Sequence, residues 1–273
     1  MQKFKGILLA TDLDGTLLKD DKSVSKENIE AIEYFKSEGG LFTFITGRIP
    51  IAFEFVADEV KPNVPCGCGN GSFIYDFSKK EFLWTATLAD TYMELIEYVQ
   101  KNFPEVGIEI TTKDKIYFIK KNSATEKHKK DEKLPDLLFN GATIDEPFSK
   151  ILFAKEKEEV LLKLIESIKN HPLHNDFDFI RSDSMYYEVL PKGVSKGNIL
   201  LKLIDILGVD KNKTITVGDN DNDSTMIKNA KIGIAVSNAS PYAKECADYI
   251  TVSNEEDAIA KIIHDLDNGK IKI

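Results

Sequence analysis

The sequence is poor in cysteine. Cys66, Cys68 and Cys246 are the only three in 273 residues, an odd count with one close pair that supports neither a disulfide framework nor a four-ligand zinc site. They read as packing residues, and a reducing cytoplasm is the expected compartment. Long apolar runs are also missing. Nowhere do about 18 consecutive apolar residues occur, as a membrane span requires, and the early run Ile7–Ala10 stops at Thr11 and Asp12, too soon for the core of a signal peptide. Positive charge is in deficit as well. With 36 Lys and Arg against 45 Asp and Glu the net charge is −9, which leaves no basic face to release counterions from a nucleic-acid backbone. Neither a nucleic-acid partner nor a membrane is expected, although a single well-placed lysine can still serve one small anion. No internal repeat or low-complexity tract occurs, and the longest charge-rich stretch, 126–133, is short and mixed in sign.

What is present is a rhythm of short apolar runs and amphipathic stretches. The run Ile7–Ala10 is followed by a helix with Ser25 as its cap, which carries Ile29, Ile32 and Phe35 at helical spacing and stops at Gly39-Gly40. A strand over 41–45 comes next. Near the other end a helix over 195–207, strands over 214–217 and 232–236, a helix from about Asn222 and another near 241–246, a short strand over 249–252 and a last helix from Glu255 repeat the alternation. This pattern predicts an α/β fold, a doubly wound parallel sheet with helices on both faces.

Between them the rhythm changes. A helix over 90–102, adjacent strands over 107–112 and 115–120, a polar stretch, a strand over 150–154, a helix over 156–169 and strands near 177–181 and 185–190 imply antiparallel pairing. The expected organisation is a discontinuous core, 1–87 and 189–273, interrupted by an inserted α+β cap domain, 88–188. Near its second junction Arg181, Asp183 and Glu188 are polar residues open to two readings, selectors of a small ligand or plain solvated surface.

The first chemical signal is Asp12-Leu13-Asp14-Gly15-Thr16, two carboxylates at the carboxyl end of a strand with a glycine for the turn. Such a pattern arises by chance in a chain of this length only ~a few times in a thousand. An acidic turn would explain Asp14 and Gly15 but not Asp12, whose carboxylate ends an apolar strand and needs a compensating cation. A second acidic cluster, Gly218-Asp219-Asn220-Asp221-Asn222-Asp223, also follows an apolar strand. A calcium loop is the rival reading, but Ser224 and Ala230 stand where that loop needs Gly and Glu. In an open α/β sheet the strand ends converge, so Asp12, Asp14, Asp219 and Asp223 are expected to meet and to bind a hard cation, Mg²⁺ before Ca²⁺ or Zn²⁺. Thr46-Gly47-Arg48 lies on the same edge and offers a hydroxyl and an N–H to a phosphate oxygen. Lys196, in the first turn of its helix, opposes the helix dipole unless an anion is near. The glycines of Gly67-Cys68-Gly69-Asn70-Gly71 are wrongly spaced for a dinucleotide fingerprint.

Taken in order, Asp12-Leu13-Asp14-Gly15-Thr16, Thr46-Gly47-Arg48, Ser195-Lys196-Gly197 and Gly218–Asp223 resemble the four motifs of the haloacid dehalogenase superfamily. Asn70-Gly71 and Glu188–Val194 are similar to its Cof-type sugar-phosphatase branch, in which a large α/β cap interrupts a Rossmann-like core. The resemblance implies a magnesium-dependent phosphomonoesterase acting on small phosphorylated metabolites, sugar phosphates first, through an aspartyl phosphate. It implies Asp12 as nucleophile and Asp14 as general acid and base. Thr46, Gly47, Lys196 and Asn222 would bind phosphate, and Asp12, Asp14, Asp219 and Asp223 would hold the metal. Asp221 stands where the pattern usually has an uncharged residue. A phosphomutase, or a non-catalytic module that binds a phosphorylated metabolite, is the alternative.

Overall fold

Leu8–Thr11 forms strand β1, buried at all four positions, as a strand covered on both faces requires. In the computed structural model, which describes residues 2–141 and 144–273, the following elements are helix α1 (Lys26–Ser37), strand β2 (Leu41–Phe44), helix α2 (Pro50–Val60) and strands β3 (Cys66–Cys68), β4 (Phe73–Asp76) and β5 (Glu81–Thr85). The middle of the chain supplies α3 (Tyr92–Asn102), β6 (Gly107–Thr111), β7 (Ile116–Lys120), α4 (Ser123–Asp131), β8 (Lys150–Ala154), α5 (Glu158–Lys169), β9 (Phe177–Asp183) and β10 (Tyr186–Pro191). The last third is α6 (Lys196–Leu207), β11 (Thr214–Gly218), α7 (Ser224–Asn229), β12 (Ile232–Ala235), α8 (Pro241–Cys246), β13 (Tyr249–Ile250) and α9 (Ala258–Asp267). No helix among the described residues is long and apolar enough to cross a membrane.

Two units result. The first comprises residues up to Arg48, Phe53–Trp84 and Ser195–Ile273, and the second Ile49–Ala52 and Thr85–Val194. In the first, a parallel sheet runs β13-β12-β11-β1-β2, with Leu8 in register with Leu41 on one side and Thr214 on the other. Ile199, Leu200 and Leu203 of α6 and Met226 of α7 pack with Leu8 and Ala10. Across α1 and α9, the buried Asn28 accepts the Ala260 N–H at 2.9 Å. Ser25 caps α1 by accepting from Asn28 N at 3.1 Å. A smaller sheet, β3-β4-β5, lies in this unit except for Thr85, its last residue.

The second unit holds an antiparallel sheet, β7-β6-β8-β10-β9. One face carries Ile108, Ile110, Ile151, Phe153 and Val189 against Leu95 and Val99 of α3 and Leu161 and Leu164 of α5. The alternate positions put Glu109 and Glu188 on the other face, each in register with Leu152. Both are buried, and Lys150 Nζ lies 3.2 Å from Glu188 Oε2, so Glu188 is engaged in a buried ion pair. His128 of α4 meets Glu109 Oε2 through Nδ1 at 2.8 Å and Glu132 Oε1 through Nε2 at 3.4 Å.

Burial alone would push the His128 imidazole down, but Glu132 and Glu109 overcome it and raise the pKa to about 10. A group raised above its unfolded value of about 6.5 adds stability that is complete below that pH and is lost as pH climbs through the folded value. The melting temperature is therefore expected to fall between pH 6.5 and about 10. His128→Gln is expected to flatten that slope and cost roughly 3 kcal/mol, because Glu109 loses its buried cation. Parallel pH slopes in the melting curves of the two proteins would refute this assignment.

Several elements differ from the sequence expectation. The polar stretch contains α4, whose composition leaves too few apolar residues for a visible stripe. Its start is nevertheless signalled by a capping box, with Asn122 accepting from Thr125 N and Thr125 Oγ1 accepting from Asn122 N. Helix α2 and strands β3–β5 fill the part between 49 and 87 that the periodicity left blank. The strand expected over 249–252 shortens to Tyr249–Ile250, and the last helix starts at Ala258, after a 3₁₀ turn over Asn254–Glu256.

Candidate active site

The chain leaves β1 for α1 and β2 on one side, while β11 lies on the other, so strand order reverses at β1. The crevice beyond the carboxyl ends at such a reversal is where open α/β sheets bind ligands. Asp12 directly follows β1, Asp219 directly follows β11, and Thr46 lies just past β2.

Asp12 is held by its backbone, whose N–H donates to Val217 O at 2.9 Å, and its side chain is 8% exposed. Its Oδ1 lies 2.8 Å from Lys196 Nζ. Lys196 opens α6 behind the Ser195 cap and also reaches Asp223 Oδ1 at 2.6 Å. Burial opposes the lysine charge, but Asp12 and Asp223 outweigh it and hold the ammonium above the ordinary lysine range. The Asp12 carboxyl is pushed well up, first by burial and then by Asp223, against the pull of Lys196. Asp223 commits its second oxygen to the N–H groups of Asp219 and Asn220, both at 3.0 Å. It shapes the loop as well as facing the lysine.

The structure brings three of the four expected metal carboxylates together. Single oxygens of Asp12, Asp219 and Asp223 lie within 4.8 Å of one another, and one lysine stands against three acids. Burial and then Asp223 push Asp219 up to about 7, while Lys196 and a hydrogen bond from Thr16 Oγ1, at 2.9 Å, pull the other way. An oxygen-only donor set with surplus negative charge fits a hard divalent cation. Gly15 is what lets the two acidic loops approach. Its φ is +73°, and a Cβ there would fall 2.5 Å from Asp219 Oδ2, so both conformation and space demand glycine. Asp221 is not in the group; it accepts from Ser240 Oγ at 2.6 Å, so the alternate acids of this loop do not converge as a calcium loop would.

The fourth, Asp14, is turned to a different pair of cations. Arg48 grips it through Nε and Nη2, both at 2.7 Å, and Lys22 Nζ lies at 2.8 Å. Burial works against ionisation here, but Arg48 and Lys22 outweigh it and hold the carboxyl at about 2. A fork-on-carboxylate contact of this kind fixes orientation as well as charge.

Thr46 is buried, and its Oγ1 accepts the Arg48 N–H at 3.2 Å. Its carbonyl accepts from Asn70 N at 3.0 Å. A Cβ at Gly47 would meet the Asn70 amide at 3.1 Å. Asn222 Nδ2 donates to Asn70 Oδ1 at 3.0 Å, while Asn222 Oδ1 is buried without a partner. Thr46, Gly47 and Asn222 thus gather around one residue, Asn70, whose φ is +55°.

The profile of the haloacid dehalogenase-like hydrolases matches residues 9–263. The chain belongs to that family. It is 27% identical to the 5-amino-6-(5-phospho-D-ribitylamino)uracil phosphatase YcsE of Bacillus subtilis, over 94% of each chain. It is 28% identical to YitU, a phosphatase of the same name from that organism, over 95% of this chain and 97% of the relative. A haloacid dehalogenase-like hydrolase from Bacteroides thetaiotaomicron superposes with a TM-score of 0.84 at 26% identity, over 94% of this chain and 98% of the other.

For this hydrolase, the residues that sequence reasoning left out of its site are Arg48, Asn70, Thr16 and Lys22. Arg48 and Thr16 stood inside motifs already singled out, and their roles needed only the direction of a side chain. Asn70 had a signal in its Gly-Asn-Gly setting. Lys22 had none, because it reaches Asp14 from a turn in which its φ is +69°.

Proposed function

We propose that this hydrolase is a phosphomonoesterase that transfers a phosphoryl group from a small phosphorylated metabolite to Asp12 and then to water. The observation that carries the reading is the buried Asp12–Lys196 contact at 2.8 Å, set beside Asp219 and Asp223 at the head of β1. A carboxylate oxygen of Asp12 attacks phosphorus, and the bond to the leaving oxygen breaks as Asp14 supplies a proton. Asp14, now a carboxylate, takes a proton from water that attacks the aspartyl phosphate, which releases inorganic phosphate and restores Asp12. Thr46, the Gly47 N–H, Asn222 and Lys196 hold the phosphate oxygens. A Mg²⁺ held by Asp12, Asp219 and Asp223 would neutralise charge on the phosphoryl group. To protonate, Asp14 must leave Arg48 and Lys22. A phosphate dianion competes for the same two cations and so frees it.

Every group in this scheme lies in the first unit. Choice of leaving group is assigned to the inserted unit, and the phosphorylated polyol chain named in YcsE and YitU favours small sugar or sugar-alcohol phosphates. Release of inorganic phosphate from a panel of metabolites, with Mg²⁺ or with chelator, tests the whole. Asp14→Asn gives the sharper readout: at least ~100-fold loss on alkyl phosphates and a smaller loss on aryl phosphates, whose leaving groups need no proton. Equal losses on both would remove Asp14 from the acid role.

Cation binding is expected to be linked to pH. Asp219, at about 7 in the cation-free protein, must ionise to become a ligand, so Mg²⁺ displaces protons below that pH and its affinity weakens as pH falls. Calorimetric titrations at pH 6.5 in buffers of different ionisation enthalpy are expected to give different apparent heats. Identical heats would show that no proton leaves.

A further inference from the structure

On the second unit, strand β9, helix α5 and the short turn Pro172–Asp176 border a cavity of about 540 Å³, within the roughly 300–1,000 Å³ of small-molecule sites. None of its lining residues takes part in the phosphate chemistry. Aromatic rings line much of its apolar part. Phe179 is stacked between His174, at 4.8 Å, and Tyr187, at 5.5 Å, both at an interplanar angle of 13°, and Leu162 and Ile165 of α5 also line the space. Leu162 is half exposed although it is a large apolar side chain.

Charge at the cavity runs against the rest of the chain. Lys169, Arg181 and Lys192 line it with one acid, Asp178, in a protein of net charge −9. Lys192 is balanced locally by Asp178 at 3.0 Å, and one nitrogen of Arg181 is taken by Glu158. Lys169 has no ion pair among the described residues. Two more polar atoms are orphaned: His174 Nδ1 and Arg181 Nε are buried and have no hydrogen-bond partner. Buried polar groups in folded proteins are nearly always paired, and leaving one unpaired is costly. Both orphans belong to residues that line this cavity.

We propose that the cavity binds a planar aromatic anion, its ring seated among Leu162, Ile165 and the Phe179 stack and its carboxylate, sulfate or phosphate accepting from Arg181 Nε–H and His174 Nδ1–H, two covered donors that a small turn of their side chains brings into the cavity. Lys169 adds attraction at the rim. The site lies entirely in the second unit, and Arg181 thereby receives a role other than choosing the substrate of the first.

The test is calorimetric titration of the full chain with 2-naphthoate, which no phosphatase can turn over, alongside 2-naphthylmethanol and acetate. One naphthoate per chain is expected, with the neutral alcohol and the ringless acetate each at least ~tenfold weaker, about 1.4 kcal/mol. Arg181→Gln is expected to weaken naphthoate by a similar factor. Lys169→Gln, at an exposed helix end where folding is not at risk, is expected to weaken it by a few-fold. No saturable binding at millimolar naphthoate overturns the proposal. So does acetate binding as tightly as naphthoate, an adventitious ion only, or the alcohol doing so, an apolar groove only. Unchanged affinity in both variants places the ligand elsewhere and overturns it equally.

Discussion

Asp12→Asn is expected to lower turnover by at least ~10⁴-fold, the scale of loss when a covalent nucleophile is removed. The amide keeps the shape of the side chain and can still accept from Lys196 Nζ, which lies 2.8 Å from Oδ1 in the native protein. It lacks the charge needed to attack phosphorus. Two controls separate this from misfolding. The variant is expected to unfold cooperatively near the wild-type temperature, because one of three mutually repelling acids has been neutralised. Its divalent-cation affinity is expected to fall, because one donor of the oxygen set is gone. Acid-quenched wild-type protein incubated with labelled substrate is expected to carry acid-stable, base-labile phosphate, and the variant none. Residual activity within about tenfold of wild type would take the nucleophile role away from Asp12.

Lys196→Met is expected to damage stability and activity together. Lys196 is 1% exposed and is the only cation within reach of both Asp12 and Asp223 among the described residues. Breaking a buried ion pair by removing one partner costs roughly 3–5 kcal/mol, which for a chain of this size is on the order of 10 °C in melting temperature. Mg²⁺ is expected to restore part of the lost stability, since it supplies positive charge to the same carboxylates. It is not expected to restore turnover, because the ammonium donates hydrogen bonds that a thioether cannot. A variant that melts with the wild type in the absence of divalent cation would show that the acids are already neutral in the native protein.

The path from sequence to site was short where a residue's position follows from its place on a strand. Asp12, Thr46 and Asp219 were legible because each follows an apolar run that could only be a buried parallel strand, and parallel strands deliver their carboxyl ends to one edge. The same argument placed Asp14 on that edge but could not say where its side chain points. Two bonds to Arg48 and one to Lys22 decide that, and neither spacing nor hydropathy encodes them. Helix α4 escaped because its buried face is made of Ala124, Thr125 and His128 rather than of large apolar residues. His128 on that face is paired with Glu109, a contact between positions with no shared periodicity. Glu188 stood out as a polar residue near the second junction, open to a selecting or a solvated role; its register opposite Leu152 buries it beside Lys150, which excludes the solvated one.

The pairing of β1 with both β2 and β11 has a consequence for how the protein is made. Leu8 finds Leu41 early in synthesis but must wait for Thr214 to leave the ribosome. Meanwhile most of the second unit, the continuous stretch Thr85–Val194, has been synthesised in full and can begin to fold by itself, since domains generally fold as units during translation. A nascent chain of this length therefore carries Asp12, Asp14 and Thr46 without Lys196, Asp219 or Asp223. The two acidic clusters can meet only after β11 has emerged and paired with β1, with β12, β13 and α9 still to follow.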